Sequence, residues 1–225
     1  MEIKKELIFT AASKMNRKNR GEMATSSHLS SVKGKSILVA GGTGLVGFNL
    51  TRRFITLGAD ILSTYFSKEP VFFKQQYKKF DFTRFEDCVK ATSGIDYVII
   101  CAAQVFGAKI MKENQTASVL PNLKINAGLL EACSLNNVEK VVFISSSTVY
   151  QEAHYPIMED QLDMNKPPYG LYFGVGWVNR YIEQLAKFYV KKNNLKIGIV
   201  RPTNIYGPYD KFDDEKSHVI PALIK

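Results

Sequence analysis

A doubly wound α/β fold is predicted, on three observations. Short apolar runs of strand length recur along the chain, segments of helical periodicity separate them, and a glycine cluster follows the first run directly. Strands alternating with helices imply right-handed crossovers and a parallel sheet. The length of 225 residues suits one domain of this kind.

Ser36-Ile37-Leu38-Val39-Ala40 is bounded by glycines and reads as a strand buried on both faces. Val46, Leu50, Phe54 and Leu57 then recur at helical spacing, and Gly58 closes that segment. A second strand is expected over 61–65, a short third over 79–82 and a fourth over 96–101. A long helix follows over 117–136, a fifth strand over 141–145, a helix over 174–192 and a sixth strand over 196–201. No internal repeat is visible.

Composition excludes several classes. The apolar fraction is 45% and the charged fraction 23%, ordinary for a globular chain and unlike a disordered or collagen-like one. No apolar run is long enough to span a membrane. Cys88, Cys101 and Cys133 are odd in number and lack ligand spacing, so neither a disulfide scaffold nor a metal site is expected. A reducing, cytoplasmic location fits. Net charge is +9, but residues 1–35 hold eight Lys/Arg against three Asp/Glu. The excess is concentrated there, and residues 1–33 read as a disordered basic leader. The remainder, one domain over 34–225, is mildly basic. That suits an anionic small molecule, and no aromatic-basic interleaving argues for nucleic acid.

The glycine cluster carries the chemistry. In Gly41-Gly42-Thr43-Gly44-Leu45-Val46-Gly47 the first, fourth and seventh residues are glycines spaced by three. Gly41 allows the tight turn, Gly44 lets the backbone approach a pyrophosphate, and Gly47 lets helix and strand pack closely. The amides of Thr43, Leu45 and Val46 complete a helix N-terminus facing the phosphates. At the end of the second strand an acid would select NAD. Tyr65 stands there, with Lys68 close by, which leans towards the 2′-phosphate of NADP, with NAD as the alternative.

Five segments, in order, resemble the extended short-chain dehydrogenase/reductase family of nucleotide-sugar epimerases, dehydratases and reductases. They are Gly41 to Gly47, Asp81-Phe82, Cys101-Ala102-Ala103, Ser145-Ser146-Ser147-Thr148-Val149-Tyr150, and Arg201-Pro202-Thr203-Asn204-Ile205-Tyr206-Gly207-Pro208. The continuation Ser217-His218-Val219-Ile220-Pro221 resembles the GDP-L-fucose synthase branch. The resemblance implies a nucleotide-diphosphate sugar as substrate, NADP-dependent epimerase/reductase activity and a homodimer. It implies that Asp81 and Phe82 contact the adenine, that Cys101, Ala102 and Ala103 line the ribose and pyrophosphate, and that Pro202 and Asn204 sit by the nicotinamide and sugar. Asn126 matches a helix asparagine near the active site. Ser146 matches the catalytic serine that would hydrogen-bond the sugar C4 oxygen, and His218 the general acid.

The family's Tyr-x-x-x-Lys pair is absent: none of the eleven tyrosines has lysine four residues on. Counting back from Pro202 puts Val175 in the tyrosine slot and Asn179 in the lysine slot; anchoring on Tyr169 gives Phe173 instead. Tyr172, seven residues before Asn179, is the tyrosine expected to reach the substrate from one turn upstream. The chain stops seven residues past His218, so a C-terminal substrate domain is expected to be largely missing. Two readings stand: an NADP-dependent nucleotide-sugar epimerase/reductase, or a non-catalytic or truncated dinucleotide-binding relative.

Overall fold

The computed structural model describes residues 32–105, 114, 116–210 and 223. Of the leader expected over 1–33, only Val32 and Lys33 are among them, and His218 lies outside them. The elements are β1 (Ser36–Ala40), α1 (Leu45–Thr56), β2 (Asp60–Tyr65), β3 (Tyr77–Lys79), α2 (Phe85–Thr92), β4 (Tyr97–Ile100), α3 (Val119–Leu135), β5 (Lys140–Ile144), α4 (Phe173–Asn193) and β6 (Lys196–Val200). One six-stranded parallel sheet runs in the order β3-β2-β1-β4-β5-β6. That is the doubly wound order, with its reversal between β1 and β4.

Alternation along each strand divides the core in two. Leu38, Ala40, Val98, Ile100, Val141 and Phe143 face a layer built from Leu129, Leu130 and Ile182 of α3 and α4. Ile37, Val39, Ile61 and Ile99 face the opposite way, onto Leu50, Phe54 and Ile55 of α1. Helix ends are set by left-handed residues. Gly58 holds φ +74, and the amides of Gly58 and Ala59 fold back onto the carbonyls of Ile55 and Phe54 at 3.1 and 3.2 Å. This is a Schellman closure of α1. Asn137 does the same for α3, with φ +55 and the Val138 amide 2.9 Å from the Cys133 carbonyl.

Two expectations need correction. The third strand lies at Tyr77–Lys79, not 79–82. Phe80 and Phe82 follow it as a stacked pair 6.0 Å apart, and their apolar character reflects packing on the core rather than strand pairing. Helix α2 was not foreseen. Its buried residues are only Cys88, Ala91 and Thr92, too small to make a visible apolar stripe, although Glu86 and Asp87 mark its first turn.

Candidate functional site

The glycine loop joins β1 to α1 at the strand-order reversal, the usual place for a ligand in an open α/β sheet. Gly41 holds φ +85, and a Cβ there would lie 2.7 Å from the backbone of Ala102. The loops after β1 and β4 therefore touch backbone to backbone. A Cβ at Gly47 would land on the Gly41 carbonyl, so α1 starts hard against the turn. Gly44 differs: its nearest neighbour would be the Gly41 oxygen at 3.4 Å, leaving its outer face open. Gly44 is the helix N-cap, offers no side-chain cap, and no acidic residue occupies the first turn. The amides of Leu45, Val46 and Gly47 and the positive end of the helix dipole stand ready for an anion. Thr43 precedes them in the turn.

Buried hydroxyls lock this loop. The Gly41 amide donates to Thr64 Oγ1 at 3.0 Å, and Tyr77 Oη donates to the Gly42 carbonyl at 2.9 Å. Thr51 Oγ1 lies 2.8 Å from the Gly47 carbonyl and 2.6 Å from Ser63 Oγ. Burial raises the Tyr77 pKa, so the phenol keeps the proton it donates. None of Thr51, Ser63, Thr64 or Tyr77 was singled out from sequence. A hydroxyl on a strand or a helix carries no signal of what it will face once the sheet is packed.

The neighbouring loops complete the cleft. The Cys101 amide donates to the Ala40 carbonyl at 2.9 Å, which sets Cys101, Ala102 and Ala103 directly beyond β4. Burial pushes the Cys101 thiol up to about 12. Asn122 clamps Gln104 at both backbone atoms, at 2.7 and 3.1 Å, and steadies this segment from α3. One turn on, Asn126 is buried and its Oδ1 has no hydrogen-bond partner among the described residues. Asp81 accepts from the Thr83 amide and hydroxyl at 3.0 and 2.6 Å. Phe82 is 6% exposed within the core, which leaves only its backbone for an adenine. Tyr65 ends β2 half-buried, and Lys68 beyond it is exposed.

Beyond the carboxyl end of β5, Ser146 is extended and its Oγ accepts the Thr148 amide at 3.2 Å, capping the short 3-10 turn Ser147–Val149. One lone pair is thereby used while the hydroxyl proton stays free to donate to a carbonyl oxygen. Asn179 is 9% exposed, with Nδ2 3.5 Å from Thr148 Oγ1. In the register counted back from Pro202 the lysine position is thus a buried amide beside the Ser146 turn, and the tyrosine position is Val175, half-buried one helical turn before it; in the other register Phe173 stands exposed at the start of α4. Tyr172 is not on α4: it is the N-cap, with φ −107 and ψ 17. Helix α4 begins only at Phe173, so Tyr172 and Asn179 do not both lie within it. Tyr172 instead sits 6.2 Å ring to ring from Tyr169.

Two arginines hold the surrounding loops. Arg180 is fully buried, and donates through Nε to the Val149 carbonyl and through Nη1 to the Lys166 carbonyl, each at 2.6 Å. It ties the end of the 3-10 turn to Lys166 in the loop before α4. Desolvation lowers its pKa. Arg201 reaches Glu183 and the Tyr150 hydroxyl at the end of β6. The Pro202 carbonyl accepts the Ser147 amide at 3.0 Å, and Asn204 lies exposed two residues on.

The strand order and the sequence of these segments are those of the extended short-chain dehydrogenase/reductases. The chain belongs to the NAD dependent epimerase/dehydratase family, whose model matches residues 37–225. It is 30% identical over 197 residues to a GDP-L-fucose synthase of Sinorhizobium fredii, covering 85% of this chain and 58% of that protein. A GDP-L-fucose synthase of Dictyostelium discoideum is 31% identical over 208 residues, covering 84% and 58%. A GDP-L-fucose synthetase structure from Naegleria fowleri bound to NADP superposes with TM-score 0.63 at 26% identity, covering 85% of this chain and 57% of that one. The chain thus spans under three fifths of the length of these relatives.

Proposed function

We propose that this chain is the NADP-binding part of a nucleotide-sugar epimerase/reductase of the GDP-L-fucose synthase kind. The observation that carries the reading is the glycine loop at the strand-order reversal. Its uncapped helix start faces an opening at Gly44, while Gly41 and Gly47 are packed shut. A pyrophosphate fits such a cradle, and the buried Oδ1 of Asn126, without a partner among the described residues, leaves a polar group to be satisfied one turn beyond Asn122 on α3. Tyr65 without a carboxylate, and Lys68 beyond it, favour the 2′-phosphate of NADP. When bound, the dinucleotide supplies hydride chemistry. Ser146 would orient a sugar carbonyl oxygen through its free hydroxyl proton, and His218 and Tyr172 are the proposed proton donors. A second copy of the chain is the partner proposed for the outer face of α4, where Phe173, Tyr181 and Phe188 stand exposed.

Val175 and Asn179 favour a second reading, a binding protein without turnover. An asparagine hydrogen-bonds a ribose but supplies no charge to lower a phenol pKa. Fluorescence titration with NADPH and NADH at one salt concentration tests the first part: NADPH is expected to bind more tightly, and tighter NADH binding rejects it. NADPH consumption with GDP-4-keto-6-deoxymannose separates the two readings.

A further inference from the structure

The segment after β6 is fastened at both ends. At its start the Ser145 and Ser147 amides donate to the carbonyls of Val200 and Pro202 at 2.8 and 3.0 Å, beyond the carboxyl end of β5. At its far end the Pro208 carbonyl accepts from Asn49 Nδ2 at 3.2 Å. The same Nδ2 donates to the Leu45 carbonyl at 3.0 Å, so this anchor lies on the opening turns of α1, beside the glycine loop. Since β4 lies between β1 and β5, residues 203–207 form a strap across the carboxyl edge of the sheet.

Aromatic rings hold the far end. Tyr209 meets Phe48 of α1 edge-on at 4.6 Å. The Arg52 guanidinium lies 5.8 Å over the Tyr209 ring, and Nη1 donates to the hydroxyl at 3.4 Å. From the loop between β2 and β3, Phe72 sits 6.1 Å from Phe48 and 6.4 Å from Tyr209. Phe73 and Tyr209 hold φ +54 and +71. Bulky residues keep such backbone only where their surroundings hold it. Tyr209 is 47% exposed and Phe72 52%, so these contacts close at the surface and separate without disturbing the sheet.

We propose that Tyr209, closing on Phe48 and Phe72, is a clasp that holds the strap over the cleft and sets how fast a dinucleotide enters and leaves. The proposal rests on the dinucleotide reading above. It makes Tyr209 and Phe48 positioning residues, and it joins the loop that follows Tyr65 and Lys68 to the strap that carries Asn204.

The test compares Tyr209→Ala with Tyr209→Phe, which keeps the ring and loses only the hydroxyl. In stopped-flow fluorescence with NADPH, association and dissociation should both quicken in Tyr209→Ala, by about five- to thirty-fold for one or two lost contacts, with a smaller change in Kd. Tyr209→Phe should stay near wild type. Hydrogen exchange at residues 203–209, without ligand, should accelerate in Tyr209→Ala while β1 and β4 stay protected. A wild type that binds NADPH, with unchanged rates or unchanged exchange in Tyr209→Ala, overturns the clasp and leaves the binding reading standing. A wild type that binds neither dinucleotide overturns both.

Discussion

Arg201 grips Glu183 with two nitrogens, Nη2 at 2.7 Å and Nε at 2.9 Å, and Glu183 is 1% exposed. Ser145 Oγ donates to the same carboxylate at 2.7 Å, and the Tyr150 hydroxyl accepts from Arg201 Nη1 at 3.0 Å. One buried carboxylate on α4 thereby ties together the ends of β5 and β6, which carry Ser146 and Pro202. The Glu183 bond holds the Arg201 pKa above its ordinary value. Breaking a buried pair by removing one partner strands the other charge, at about 3–5 kcal/mol. Glu183→Ala and Arg201→Ala should each lose stability of that order in urea unfolding, and the double variant should lose less than the sum.

The glycines should separate folding from binding. Gly44 holds φ −78 and ψ 167, ordinary backbone for alanine, and has room for a Cβ. Gly44→Ala should fold as well as wild type, or gain about 0.4–1 kcal/mol through the unfolded state, yet lose NADPH affinity. Gly41→Ala and Gly47→Ala should each lose about 1–3 kcal/mol from overpacking. Thermal unfolding paired with NADPH titration reads both effects, and a destabilised Gly44→Ala would contradict the open cradle.

Restoring the missing pair should restore proton transfer. Val175→Tyr with Asn179→Lys should raise keto-sugar reduction by more than the product of the single changes, because the two groups act as a unit. A lysine at 179 adds a charge-assisted contact worth about 1.5–3 kcal/mol when aligned. Steady-state NADPH consumption measures it. Robust wild-type turnover that survives both Tyr172→Phe and Tyr169→Phe would place the proton donor elsewhere.

Alkaline pH should weaken the fold early. Burial pushes the Cys88 and Cys101 thiols up to about 12, and raises Cys133, Tyr77 and Tyr189 as well. In the unfolded chain thiols ionise near about 8.5. Above that pH the unfolded state binds fewer protons than the folded one, so stability falls as pH rises. The stabilisation is complete below about 8.5 and lost progressively towards 12. Each fully protected thiol contributes at most about 1.4 kcal/mol per pH unit. Urea midpoints from pH 8 to 11 should decline, and Cys88→Ala should flatten the slope.

The outer face of α4 should carry self-association. Tyr181 is 55% exposed and Phe188 53%, one below the other on the helix. Tyr181→Glu should convert a dimer to a monomer in sedimentation velocity without changing the circular dichroism. A monomeric wild type would reject the second copy as partner.

Much of the architecture was readable along the chain. β1 matches the strand expected over 36–40, because parallel strands buried on both faces are nearly continuous apolar runs. The long helices were found to within two residues at either end. The Gly41, Gly44 and Gly47 spacing placed the tight turn from β1 into α1 by local backbone needs alone. The absence of a Tyr-x-x-x-Lys pair was visible because it is a matter of residue identity. What the tertiary structure decided is everything that depends on facing partners across the sheet. Helix α2 hides its small buried residues from any periodicity count. The Phe82 ring lies in the core, which leaves its backbone for the expected adenine contact, since an apolar ring looks the same in either role until its neighbours are known. Tyr172 falls at the N-cap of α4, a boundary that residue spacing alone does not fix. Thr64, Tyr77 and Glu183 acquire their roles from atoms 23 to 38 residues distant in the chain, through hydrogen bonds that only the folded sheet brings within 3 Å.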